Sequence, residues 1–135
     1  MRQVFVDTSG FIASYLETDD FYDQARLFLS SLSADVRFTT TNFILDETYT
    51  YLRDDAGIEK AIKFAKFISS DLPELKSFRV LVEDEKKAWK YFKKLPGRGV
   101  SFTDCTSFAV MNRLGLKEAF TFDRDFRKAG FKVLP

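Results

Sequence analysis

No histidine occurs among the 135 residues of the chain. That absence removes the imidazole general base, the Ser–His or Cys–His nucleophile pair and the usual zinc sites. Cysteine occurs once, at Cys105, so no intrachain disulfide can form and nothing favours secretion. No apolar run approaches the length needed to span a bilayer. The start, Met1-Arg2-Gln3, leads into a short apolar run that Asp7 interrupts, which is not the pattern of a signal peptide. The expectation is a cytoplasmic protein with no membrane partner. An excess of one charge is also missing: 21 basic residues face 20 acidic ones, for a net charge of +1. Global charge is therefore silent about a nucleic-acid partner, and only its local distribution is informative.

What is present is a chain the size of one ordinary domain, with 45% apolar residues and 16 phenylalanines to fill a core. The run Val4-Phe5-Val6-Asp7-Thr8-Ser9-Gly10-Phe11 reads as a buried strand ending in an acid, two hydroxyls and a glycine, the last giving room for a tight turn. A short helix follows over 10–16, capped by Thr8 or Ser9, then a longer one over 21–32 with Tyr22, Ala25, Phe28, Leu29 and Leu32 on its apolar face. A second strand is expected over 37–40. A helix over 43–53, capped by Thr41 or Asn42, precedes one over 58–70 that turns Ile58, Ile62, Ala65 and Phe67 or Ile68 inward. Pro73 breaks the helical pattern, and Phe78-Arg79-Val80-Leu81 reads as a third strand. Helices over 83–95 and 101–114, a strand over 118–122, a helical turn over 123–129 and a strand over 131–134 complete the chain. Strands alternating with helices predict one three-layer α/β domain over residues 1–135, with a mainly parallel sheet of four to five strands.

Four acids fall beside strand ends or in half-buried helices: Asp7 after the first strand, Glu47 in the helix after the second, Asp104 in the first turn of the helix opened by Ser101, and Asp123 after the fourth strand. Each has an ordinary explanation. Asp7 and Asp123 suit helix caps, Asp104 suits the positive end of a helix dipole, and Glu47 suits a solvated helix face, as does its neighbour Asp46. Their joint placement says more. In open α/β sheets ligands gather beyond the carboxyl ends of the strands. Carboxylates clustered there repel one another and need a counter-charge, and no single well-placed Lys or Arg offers one. A hard divalent cation, Mg²⁺ or Mn²⁺, suits a few carboxylates plus water.

The set Val6-Asp7-Thr8-Ser9, Glu47, Thr103-Asp104-Cys105 and Thr121-Phe122-Asp123-Arg124-Asp125-Phe126 resembles that of a PIN-domain ribonuclease, and most of all the small prokaryotic toxins of the VapC type. The resemblance covers essentially the whole chain in length, element order and motif order. It implies a PIN-like fold and an Mg²⁺- or Mn²⁺-dependent endoribonuclease. Asp7, Glu47, Asp104 and Asp123 match the acidic quartet, with Asp125 as an additional ligand and Thr8 or Ser9 as the hydroxyl that helps hold a metal-bound water. The implied reaction is in-line attack of a metal-activated water on RNA, leaving a 5′-phosphate and a 3′-hydroxyl. Glu47 completes the outer ligand sphere or acts as base. A small antitoxin partner and a homodimer are implied as well. The alternative is a non-catalytic PIN-like module that binds RNA or protein. A phosphatase of the haloacid-dehalogenase type would need a second Asp where Ser9 stands.

One local clue bears on the substrate. From Lys86 to Arg98 the chain carries Lys86, Lys87, Lys90, Lys93, Lys94 and Arg98 with no acid among them. Lys90, Lys93, Lys94 and Arg98, with Arg124 near the last motif, are candidate phosphate contacts. The interleaved Ala88, Trp89, Phe92 and Leu95 are expected to be core, and Cys105 a small buried residue rather than a nucleophile.

Overall fold

A computed structural model describes residues 1–71 and 74–135; the expected break at Pro73 lies outside the described residues. Five parallel strands form one sheet in the order β3-β2-β1-β4-β5, with β1 at Arg2–Val6, β2 at Val36–Thr41, β3 at Leu75–Phe78, β4 at Glu118–Phe120 and β5 at Lys132–Leu134. Helices α1 (Thr8–Tyr15), α2 (Tyr22–Ser31), α3 (Asn42–Ala56), α4 (Ile58–Lys66), α5 (Val82–Lys94), α6 (Phe102–Leu114) and α7 (Asp125–Lys128) flank it. The expected α/β fold is found, and the sheet is wholly parallel. No helix among the described residues is long and apolar enough to cross a membrane.

β1 is central because nothing in it after Gln3 needs water: Val4, Phe5 and Val6 are buried against helices on both faces. Its two neighbours lead away in opposite directions, β2 then β3 on one side, β4 then β5 on the other. The gap between β1 and β4 is therefore a topological switch point, where flanking crossovers diverge and leave a crevice at the carboxyl edge. Register pairs Phe5 with Ala119 and Val6 with Phe120. Asp7 and Thr121 consequently leave the sheet at the same level.

Several expectations need correction, each for a local reason. Thr8 and Ser9 do not cap α1; Asp7 does, accepting the Gly10 N–H at 2.9 Å. Gly10 is not in a tight turn but inside α1. A Cβ there would lie 2.4 Å from the Phe120 carbonyl oxygen, so the glycine lets α1 press against β4. Of the two proposed caps for α3, Thr41 serves, accepting the Ile44 N–H at 3.1 Å; Asn42 Oδ1 instead accepts the Val80 N–H at 2.7 Å. The third strand is Leu75–Phe78 and not the expected Phe78 to Leu81, because that contact draws the Val80 N–H away from the sheet. Arg79 to Leu81 is the lead-in to α5, where Asp84 accepts the Leu81 N–H and also pairs with Arg113 Nε of α6 at 2.9 Å.

α4 ends at Lys66 and runs into a π-helical turn, Phe67–Asp71. Its inward face is only partly the expected one: Ala65 is half-buried and Ile68 packs against the core, but Ala61 and Phe64 are the buried residues and Ile58, Ile62 and Phe67 are exposed. The apolar residues of α4 form one broad arc from Phe64 through Ala61, Ala65 and Ile58 to Ile62, and its Phe64 edge rather than its Ile62 edge turns inward. Packing of Phe64 against Phe11, Tyr15 and Tyr49 chooses it. On α5, Ala88 is core as expected, but Trp89 and Phe92 are exposed, packed on each other and on Phe102.

Gly10→Ala tests the α1–β4 contact with a decided sign. Alanine is favoured over glycine inside a helix by about 1 kcal/mol. Overpacking against an unyielding backbone carbonyl costs about 1–3 kcal/mol. The clash should win, and chemical denaturation should show a net loss of stability. An unchanged or raised midpoint would mean that α1 has room to move.

Candidate active site

The acidic centre assembles from three element ends at the switch point. Asp7 follows β1, Asp123 follows the turn after β4, and Asp104 stands in the first turn of α6, its N–H donating to the Ser101 Oγ cap at 3.0 Å. One carboxylate oxygen from each of Asp7, Asp104 and Asp123 lies within 4.8 Å of the others. Asp7 and Asp104 are buried. Among the described residues no Lys or Arg lies within salt-bridge distance of any of the three.

Asp7 is held by a dense set of donors. Its Oδ1 accepts from Gly10 N–H and from Ser9 Oγ at 2.8 Å, and its Oδ2 accepts from Thr121 Oγ1 at 2.7 Å. With both hydroxyl protons directed at Asp7, the oxygens of Ser9 and Thr121 are free to accept. Ser9 Oγ takes the Phe122 N–H at 2.9 Å and Thr121 Oγ1 takes the Asp123 N–H at 3.0 Å. The backbone carrying Asp123 is thereby fixed by side chains that also orient Asp7. Asp123 Oδ1 accepts the Asp125 N–H at 2.9 Å.

Glu47, half-buried on α3, reaches the same pocket through Thr8, whose hydroxyl donates to Glu47 Oε1 at 2.6 Å. Thr48 donates to the Ile44 carbonyl at 2.7 Å and stands 3.2 Å from Thr8 Oγ1, buttressing it. Asp46 is exposed, as a solvated helix acid should be. Asp125 is not brought to the cluster. Its buried carboxylate lies 3.5 Å from Lys128 Nζ, one turn along α7. Thr8 and Ser9, expected to hold a metal-bound water, have hydroxyl protons directed at Glu47 and Asp7 instead.

Burial pushes the Asp7 carboxyl up to about 6, partly offset by its three donors. Asp104 is pushed up to about 8, first by burial and then by the negative charge of Asp123, Asp7 and Glu47. Both shifts come first from burial, and no cationic side chain within salt-bridge distance among the described residues counters them. An all-oxygen donor set without soft ligands fits a hard divalent cation, held by Asp7, Asp104 and Asp123. Cys105, next to Asp104, is buried, and its thiol is raised to about 11 by that burial and by neighbouring acids, which suits packing and not attack.

The acids open into a cavity of about 410 Å³ whose wall also includes Ile12, Asp19, Phe21, Tyr51, Gly99 and Phe122. A second cavity, about 480 Å³, lies among α1, α2 and α4, but no carboxylate lines it. Sequence reasoning gave no role to Thr121, Thr48, Phe21 or Tyr51. Thr121 opens the motif Thr121-Phe122-Asp123, and its place between an apolar strand and that acid is the signal the sequence holds for it. Lys90, Lys93, Lys94, Arg98 and Arg124 are exposed, free of ion pairs among the described residues, and outside the cavity wall. The loop after α5 connects that basic surface to the cavity, since Gly99 and Ser101 line it.

Comparison with known proteins agrees with this architecture. The 23S rRNA-specific endonuclease VapC20 of Mycobacterium tuberculosis is 34% identical over 128 residues, covering 95% of each protein. The crystal structure of M. tuberculosis VapC20, described as a sarcin–ricin loop cleaving toxin, superposes with a TM-score of 0.84 at 33% identity over 95% of each chain. FitAcB from Neisseria gonorrhoeae shares the fold with a TM-score of 0.69 at 16% identity, over 98% of this chain and 96% of that one. The family model described as PIN domain matches residues 4–132, and the chain belongs to the PIN-domain family.

Proposed function

We propose that the protein is a divalent-metal-dependent endoribonuclease and the toxin of a toxin–antitoxin pair, with large-subunit ribosomal RNA as its substrate. The observation that carries the reading is the convergence of Asp7, Asp104 and Asp123 at the switch point without a cationic side chain. A surface built only to bind RNA would gain nothing from concentrated negative charge. The identity to VapC20 over nearly the full length supports the choice of RNA. The same reading carries a small antitoxin partner and a homodimer.

When bound, Mg²⁺ or Mn²⁺ would neutralise charge on the scissile phosphate and lower the pKa of a water there. The chain's own residues prepare that chemistry. Asp7, Asp104 and Asp123 supply the ligand oxygens, and the Ser9, Thr121 and Gly10 donors keep Asp7 from rotating. Glu47, steadied by Thr8, presents a carboxylate at the pocket wall to orient the attacking water and accept its proton. Attack in line with the leaving 3′-oxygen gives a 5′-phosphate and a 3′-hydroxyl, with no need for an imidazole. Lys90, Lys93, Lys94, Arg98 and Arg124 guide the phosphate backbone from outside the pocket.

Cleavage of ribosomes and of a sarcin–ricin stem–loop oligoribonucleotide in Mg²⁺ or Mn²⁺ tests the activity. Asp7→Asn and Asp104→Asn should remain folded and lose at least about a hundredfold in rate, and Glu47→Gln about ten- to a hundredfold. Undiminished cleavage by any one variant removes that residue from the assignment. A wild type that neither cleaves nor binds Mn²⁺ leaves a non-catalytic binding module as the correct reading.

Stability should report the cation independently of activity. Because the folded carboxyls of Asp7 and Asp104 are raised, the ion-free folded state binds more protons than the unfolded chain. Their contribution is complete below the ordinary carboxyl range and is lost as pH rises through about 6 and then about 8. In EDTA the melting temperature should fall from about pH 5 to about pH 9, and Mg²⁺ should restore it most at the alkaline end. Asp104→Asn should flatten the ion-free profile and raise its alkaline end. A cation effect equal at every pH would place binding elsewhere.

A further inference from the structure

Among the described residues, no Lys or Arg lines the cavity. A polyanion approaching the acids therefore meets no cationic side chain in the wall, and the side chains there that can position flanking nucleotides are uncharged ones. The rim supplies such groups. Phe21 stacks on Phe122 with ring centroids 4.6 Å apart and planes 9° from parallel, and both line the cavity. Phe21 is 45% exposed. With one face covered by Phe122, the opposite face is the one left to meet a ligand. Tyr51, also 45% exposed, stands one helical turn beyond Glu47 on α3 and lines the same cavity.

The platform is rigid. The Phe21 N–H donates to Asp19 Oδ2 at 3.0 Å, and its carbonyl accepts the Ala25 N–H at 2.8 Å, which starts α2. Phe122 is fixed by its N–H bond to Ser9 and packs edge-on against the core ring of Phe120. The fixed backbone and the stack on Phe122 limit the freedom Phe21 has to lose, which favours contact with a flat ligand. A core filler at Phe21 would be buried; a solubilising residue would be polar. A rigid, half-exposed ring beside a phosphate-cleaving centre is suited to a nucleobase.

We propose that Phe21, backed by Phe122 and joined across the pocket by Tyr51, is a nucleobase-stacking subsite that positions a base flanking the scissile phosphate. The subsite rests on the ribonuclease reading, and binding and cleavage test the two separately. The Asp104→Asn protein in Mg²⁺ keeps RNA intact while fluorescence anisotropy of the labelled sarcin–ricin stem–loop measures affinity. Phe21→Ala in that background should weaken binding about five- to a hundredfold, and Phe21→Trp should retain it. Phe21→Leu, which still covers Phe122, should behave as Phe21→Ala does; its melting temperature guards against a merely structural loss. An abasic nucleotide at one position should bring the Phe21 protein down to the affinity of Phe21→Ala and cost Phe21→Ala nothing further. Unchanged binding by Phe21→Ala and Phe21→Leu, a loss that persists on every abasic probe, or no binding of this RNA at all would overturn the subsite. Wild-type cleavage combined with Phe21-independent binding overturns the subsite alone. Phe21-dependent binding with no wild-type cleavage overturns the ribonuclease reading alone.

Discussion

The structure turns on keeping carboxylates together where water is scarce and no side-chain cation balances them. Asp7 is the clearest case: it is almost completely buried, so its ionised form is costly. Isolated burial of that charge would be prohibitive, and the protein lowers the cost with three hydrogen-bond donors from Gly10, Ser9 and Thr121. Asp104 lacks a comparable set and carries the larger upward shift. The difference divides the roles. Asp7 is held in place by its donors, whereas Asp104, once buried, faces the negative charge of Asp123, Asp7 and Glu47.

Fold and site are coupled through the seam between α1 and β4. Asp7 ends β1 and caps α1, so its carboxylate cannot move without disturbing the helix start. Gly10, one turn on, lies where any side chain would strike the Phe120 carbonyl. Phe120 leads directly into Thr121-Phe122-Asp123, which returns a hydroxyl to Asp7 and a carboxylate to the cluster. Close approach of helix and strand therefore sets the distance between the two acids. A parallel sheet with its switch point here makes this seam the only place where β1 and β4 edges open together.

Much of this was legible in the chain. The alternation of apolar strands and amphipathic helices led to the α/β architecture, and Asp7, Glu47, Asp104 and Asp123 do line one cavity. What escaped was decided by tertiary contacts. Phe78-Arg79-Val80-Leu81 has the residues of a strand, but Asn42 and Asp84 capture its N–H groups for a helix entry. The inward face of α4 depended on where Phe11 and Tyr15 would meet Phe64. Asp125 has the right residue type and spacing, but its carboxylate pairs along α7 with Lys128. Trp89 and Phe92 pattern as core, and only the absence of a layer beyond α5 leaves them exposed.

Charge is distributed in a way that separates recognition from chemistry. Basic residues stand on α5, the loop after it and α7, where they can attract a polyanion over several ångströms without touching the acids. Had one of them lined the pocket, it would have paired with Asp7 or Asp104 and competed with the cation for the same oxygens. Uncharged rings at the rim avoid that competition. Phe21, Phe122 and Tyr51 offer contact area to a base while leaving the negative potential of the centre undiminished. An acidic core, an aromatic rim and a basic periphery thus follow from one arrangement: among the described residues, cationic side chains stay clear of the three carboxylates.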